Sequence, residues 1–219
     1  MAAESSQGLE EGIELEQALR WEEAEAHYRH LLDSSRDAPA SDRVDLQLRH
    51  ANALMVLRRF DEAQRAFDAA LFSAKATRDP IVLGRTLLGA GVFAASRGDL
   101  ARGEDFLLGA LDTFHGVHER DGIQGEGWAL LNLAALYGKT KRLDLAFVTF
   151  DKARERLFAI ENWVGVATAW ELQAKLRESL GDADRAAQDF HEAMAFYEKQ
   201  GMPEKVAELR ERLGGRRVV

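Results

Sequence analysis

The sequence predicts an all-α fold of stacked antiparallel helix pairs, and three observations predict it. One amphipathic segment recurs five times along the 219 residues. Ala, Leu, Glu and Arg outnumber the β-branched and aromatic residues, a mixture that favours helix over strand. Only 3 Pro interrupt the chain, and glycines or polar pairs stand at regular intervals where helices must stop.

The recurring segment is anchored by a small residue, found as Ala24, Ala63, Gly103, Ala146 and Ala186 at spacings of 39, 40, 43 and 40. Four residues on stand Tyr28, Phe67, Leu107, Phe150 and Phe190, and seven on stand Leu31, Ala70, Ala110, Ala153 and Ala193. Three before the anchor lie Trp21, Phe60, Leu100, Leu143 and Ala183, and twelve before lie Gly12, Ala51, Gly91, Ala134 and Ala174. Offsets of zero, four and seven share one helix face. The small residues admit a neighbouring helix, and the bulky one fills the space between. Agreement at five offsets in five copies marks a repeat.

Taken in order, each copy reads as a helix A, a tight turn and a helix B, with approximate limits 5–40, 41–79, 80–120, 121–161 and 162–201. The first helix A is the poorest, because it carries Gly8 and Gly12. Gly98 and Gly181 are placed to end helix A in the left-handed conformation. Between copies, Asp79-Pro80, Asp121-Gly122 and Asn162 read as caps of the next helix A, with Pro80 at its first position. Gly201 and Pro203 close the last helix B. Residues 203–213 then form a capping helix with a polar outer face, as the end of a stacked array requires.

This pattern resembles the tetratricopeptide repeat: a small residue in helix A, a Gly-Asp or polar pair, an aromatic, an acidic residue and Ala, then Tyr or Phe four later and Ala seven later. The resemblance covers about residues 5–200 and the capping helix. It departs in lacking the Pro that often ends helix B, and in a period near 40 rather than 34. Longer helices explain the period, as in the extended-repeat branch of kinesin light chains, Leu-Gly-Asn-repeat polarity proteins and bacterial Rap-type peptide sensors.

The resemblance implies one right-handed α-α superhelix over residues 1–219, with the A helices lining a concave face that binds a peptide or protein segment. Projection from the anchors places Asp45, Leu48, Arg49, Asn52 and Met55 on that lining, then Arg85, Leu88 and Val92. Trp128, Leu131, Asn132 and Lys139 follow, and finally Thr168, Glu171 and Lys175. Val92, Trp128 and Leu131 would meet apolar side chains. Asn52 and Asn132 would bond a peptide backbone, and Arg49 and Arg85 would hold acidic groups. The five Lys, Asn and Arg residues with which chaperone-binding members grip a terminal carboxylate are absent: the first three copies carry Leu9, Ile13, Arg49, Arg85 and Gly89 there. The alternative reading is a sensor whose pitch changes when a peptide or small effector binds. The Rap-type sensors carry an additional N-terminal helical bundle, for which residues 1–40 are too short.

Other chemistries are disfavoured. The formal charge of -8 opposes nucleic-acid binding, and Arg216-Arg217 is too short a basic stretch to reverse that. No Cys is present to bind zinc as thiolate, form a disulfide or act as nucleophile. Gly89-Ala90-Gly91-Val92-Phe93-Ala94 matches a dinucleotide fingerprint, but falls within a predicted helix A rather than between strand and helix. His27 and His30, and His115 and His118, have helical spacing but no completing ligand. The expectation is therefore a non-enzyme with no cofactor and no metal. The N-terminus has no basic segment followed by an apolar run, and the apolar stretch 128–137 is too short to span a membrane. That predicts a cytoplasmic protein without membrane contact, with array ends that offer a possible homodimer contact.

Overall fold

The computed structural model describes residues 2–35 and 39–214, and Arg216 and Arg217 lie outside them. The A helices are α1 (Ala2–Gln17), α3 (Ala40–Val56), α5 (Pro80–Ser96), α7 (Arg120–Lys139) and α9 (Trp163–Ser179). The B helices are α2 (Trp21–Ser34), α4 (Phe60–Thr77), α6 (Leu100–His115), α8 (Leu143–Ala159) and α10 (Ala183–Lys199), and α11 (Pro203–Gly214) caps the last pair. Helices of about 17 residues account for the long period. The single spacing of 43 comes from α7, which has 20 residues where α3, α5 and α9 have 17; the additional turn stands at its N-terminal end.

The recurring positions form the core. Tyr28, Phe67, Leu107, Phe150 and Phe190 are all buried. Tyr28 and Leu107 face a glycine of helix A, and Phe67 and Phe190 share a cluster with Ala51 and Ala174. A Cβ on Gly12 would lie 2.2 Å from the Tyr28 ring, and one on Gly91 2.8 Å from Leu107 and 3.2 Å from the Gly103 carbonyl. The glycines that weaken α1 on propensity thus permit its contact with α2, and the apparent dinucleotide fingerprint is a packing surface inside α5. A second contact joins successive copies. Phe114 of α6 lies against both Gly84 of α5 and Gly125 of α7, where added Cβ atoms would stand 2.7 and 2.4 Å from its ring. Leu157 of α8 bridges Gly127 of α7 and Gly165 of α9 in the same way.

The turns recur as strictly as the core. Leu19, Arg58, Gly98, Lys141 and Gly181, each five residues before an anchor, have φ of 57, 60, 85, 62 and 81°. Each ends a Schellman motif, in which the following amide donates to a carbonyl five residues back, as from Arg59 to Leu54 and from Arg142 to Tyr137, both 2.9 Å. Glycine marks only two of these turns, so sequence reading found only two. Asp79 and Asn162 cap α5 and α9 as predicted, Asp79 accepting from Ile81 at 2.8 Å and Asn162 from Gly165 at 2.9 Å. Asp121-Gly122 is not a cap. Helix α7 begins earlier, after Glu119, and Gly122 is glycine because a Cβ would meet the Val117 carbonyl at 2.3 Å.

Successive A helices from α3 to α9 pack on one another, whereas successive B helices make no comparable contact among the described residues. The array therefore curves with the A helices inside and the B helices splayed on the outside. Buried carboxylates tie neighbouring elements: Glu25 of α2 accepts from Arg59 and pairs with His50, both at 3.0 Å, and Glu126 of α7 pairs with Arg156 at 3.2 Å.

Two substitutions test this construction by urea denaturation. Phe67→Ala, a truncation at a fully buried ring, is expected to cost about 3–5 kcal/mol. Lys141→Gly relieves a left-handed side-chain residue and is expected to raise stability by about 1 kcal/mol.

Candidate functional site

The inner surface is set by register along the A helices. Leu48, Leu88, Leu131 and Glu171 each stand fifteen residues before an anchor, and that row turns into the packing. Leu131 is 2% and Glu171 5% exposed, which leaves neither with surface for a partner. Leu48 is likewise buried, and Leu88 packs against the Leu107–Leu133 cluster. The remaining candidates form rows across the array: Asp45, Arg85, Trp128 and Thr168; Arg49 and Asn132; Asn52, Val92 and Lys175.

Much of the charge in these rows is paired within the molecule. Arg85 reaches Asp45 of the preceding A helix at 3.1 Å, and both side chains remain open to solvent. Arg49 binds Glu16 of α1 at 2.9 Å, and Glu16 also accepts from the Tyr28 hydroxyl at 2.8 Å. Burial, and then the bond to Glu16, push the Tyr28 hydroxyl above its ordinary pKa. Lys175 binds Glu171, which also accepts from Tyr197 of α10 at 2.8 Å. Burial alone would raise the Glu171 carboxyl, but the Lys175 and Tyr197 hydrogen bonds outweigh it and hold the group below the usual carboxylate range.

The other candidates are less committed. Asn132 turns its amide back to the Trp128 carbonyl at 2.8 Å, a bond within α7. Trp128 is half-buried against Leu130, Leu131 and Ala153 and presents its remaining surface beside Asn132. Val92 is half-buried in the α5–α7 contact. Met55 packs against the Leu54–Phe67 cluster, and Thr168 donates to its own Val164 carbonyl at 2.8 Å. Asn52 is half-exposed with no hydrogen-bond partner among the described residues, and Lys139 is exposed in the last turn of α7. Of the histidines, His27 is held by the Gly8 carbonyl at 2.7 Å. The rows offer separated cations and amides.

Sequence reasoning missed a second feature, on the outer surface. Helices α8 and α10 stand apart, and Val166 and Trp170 of α9 floor a cleft of about 510 Å³ between them. Arg154, Glu155, Phe158 and Ala159 form one wall, and Glu192 and Phe196 the other. The Arg154 guanidinium lies 3.7 Å over the Trp170 ring, pairs with Asp151 and donates to Gln173 at 3.0 Å. Its burial lowers its pKa, opposed by Asp151 and Asp189. Beside the cleft, Trp163 stacks on Phe196 at 6.0 Å, meets the edge of Phe158 at 5.0 Å, and carries Lys199 3.6 Å over its face. The signal was in the sequence. Eight residues after the anchor, Leu32, Leu71 and Leu111 give way to Arg154, and two of the 4 Trp fall within one helix.

Glu171 gives a pH test. Its folded pKa is depressed, so its stabilisation is present above its ordinary value of 4.5 and is lost as pH falls through the lower folded value. Glu171→Gln is expected to cost about 1–2 kcal/mol at neutral pH. Its stability should then decline less than that of the parent chain below pH 4.5, as followed by denaturation at a series of pH values.

No protein-family sequence model matches the chain, and no curated protein matches it by sequence. Solved structures match it in fold. The Rap protein complexed with competence and sporulation factor superposes with a TM-score of 0.72 at 14% identity, over 98% of this chain and 64% of that one. The chain thus spans a little under two thirds of the Rap protein. The putative kinesin light chain repeats of Podospora anserina give 0.69 at 11% identity, covering 91% and 97% of the two chains. BtubC from P. vanneervenii gives 0.59 at 18% identity, covering 96% and 87%. With the eleven helices among the described residues, the in-phase turns and the small-to-bulky contacts, these likenesses make the chain a helical repeat superhelix of the tetratricopeptide-like fold.

Proposed function

We propose that the chain is a non-catalytic interaction scaffold that takes a peptide or protein segment along the face of its A helices. The observation that carries the reading is the run of side chains along α3, α5 and α7 in which Arg85 and Lys139 are exposed and Asn52 half-exposed, beside the apolar surfaces of Val92 and Trp128. Asn52 offers a backbone both a donor and an acceptor. An acidic group on the segment exchanges with Asp45 for Arg85 at little expense, since exposed ion pairs contribute about 0–1 kcal/mol. Arg49 is better regarded as a strut, because Glu16 and Tyr28 already engage it. The fold likeness to a Rap protein solved with a bound factor supports a binding role of this kind.

A sensor is the second reading, favoured by the ion pairs that cross between A helices. A ligand carboxylate that drew Arg85 from Asp45 would remove one tie between α3 and α5 and bias the pitch. The ends of the array offer a homodimer contact as well, since α11 covers α10 chiefly through Val206 and Leu209. A doubled mass in light scattering would mark it.

The triple variant Asn52→Ala, Arg85→Ala, Lys139→Ala is expected to weaken capture of the partner at least about tenfold, with unchanged helicity by circular dichroism. Capture at full strength would move the binding face away from the A helices. A short peptide that raises the melting temperature saturably would favour the sensor.

A further inference from the structure

We propose that the cleft between α8 and α10 is a second docking site, and that it takes a basic peptide segment with a large apolar side chain set between lysines or arginines. The cleft exists because the array curves. Packing of A helices on one another parts the B helices on the outside, and between α8 and α10 the outer side of α9 is left open. At about 510 Å³ it is an open cleft with room for one or two large side chains.

Its chemistry is specific in two respects. Phe158 is 55% exposed at the mouth, where it joins Phe196 and Ala159 in an apolar surface that water covers at a cost. Glu155 stands on one wall and Glu192 on the other, both exposed and neither in an ion pair among the described residues. The cations of the same region are engaged: Arg154 with Asp151, Gln173 and the Trp170 face, and Lys199 with the Trp163 face. The cleft therefore presents an apolar floor between two unpaired carboxylates, and its complement is an apolar side chain between two cations. A second copy of the chain is a poor occupant, because each copy carries a formal charge of -8 and the rim is itself acidic. The preceding copy does not repeat the site. At the positions of Arg154, Trp170 and Phe196 the preceding copy has Leu111, Leu130 and Arg156.

The test is an amide NMR titration of the full chain with two synthetic peptides. One is acetyl-Lys-Lys-Leu-Phe-Lys-Lys-amide; the other has Glu in place of each Lys. The basic peptide is expected to shift the signals of Phe158, Val166, Phe196 and the Trp170 indole saturably, and more strongly at low salt. The acidic peptide should leave them in place. Glu155→Gln combined with Glu192→Gln should weaken the basic peptide about tenfold, since both residues are exposed and unpaired. Phe158→Ser should abolish saturation while helicity is retained. The Asn52, Arg85, Lys139 triple variant should bind the basic peptide unchanged, which separates this site from the A-helix face. The proposal is overturned if the basic peptide does not bind, if both peptides bind equally, if the carboxamide variant binds as the parent does, or if the shifts map to the A helices.

Discussion

Everything in this molecule depends on how closely each helix A can approach its helix B. That distance is set by one complementary contact, a glycine or alanine opposite a ring or leucine, as where the Tyr28 ring fills the place of a Gly12 side chain. Small and bulky residues recur at the same offsets in every copy, and pairs built on the same offsets stack into a regular curved array. The inner face and the outer clefts are consequences of that regularity.

The turn between the helices is under the same constraint. Five residues before every anchor the backbone is left-handed, whether the residue is glycine or not. Leu19, Arg58 and Lys141 accept a conformation that disfavours side chains because the contacts on both sides over-determine where the chain must reverse. Packing decides the turn, and glycine follows it only where nothing else is asked of that position.

This explains what could be read from the sequence. Recurring positions, the pairing of helices and the buried rings, were legible because five copies vote on each, and the caps at Asp79 and Asn162 and the final helix at Pro203 because local cap chemistry marks them. Positions that occur once were not. Whether Leu131 faces a partner or a neighbouring helix depends on the angle between α7 and α9, which no single helix pattern specifies. Glu171 looked like a surface carboxylate until Tyr197 of α10 was brought to it. The cleft beside Trp170 was hidden for the same reason, since its walls belong to α8 and α10, and only curvature exposes the floor between them. Asp121-Gly122 misled because a glycine required by a close contact has the same letter as a glycine required by a turn.

The residues that lock neighbouring copies together are not spread evenly. Phe114 is seated between glycines of α5 and α7, and Leu157 between glycines of α7 and α9, so the third, fourth and fifth copies share side chains. Helix α1 packs chiefly on α2, and toward α3 it is tied by the Glu16–Arg49 ion pair and by Leu9 and Leu15 beside the cluster that holds Leu46. In a quasi-one-dimensional array, cooperativity extends only as far as such nearest-neighbour interfaces are strong. The chain thus has a soft end at α1. Amide protons of α7 and α9 should exchange with solvent as one slow unit, while those of α1 exchange by local fraying that leaves the rest of the array intact.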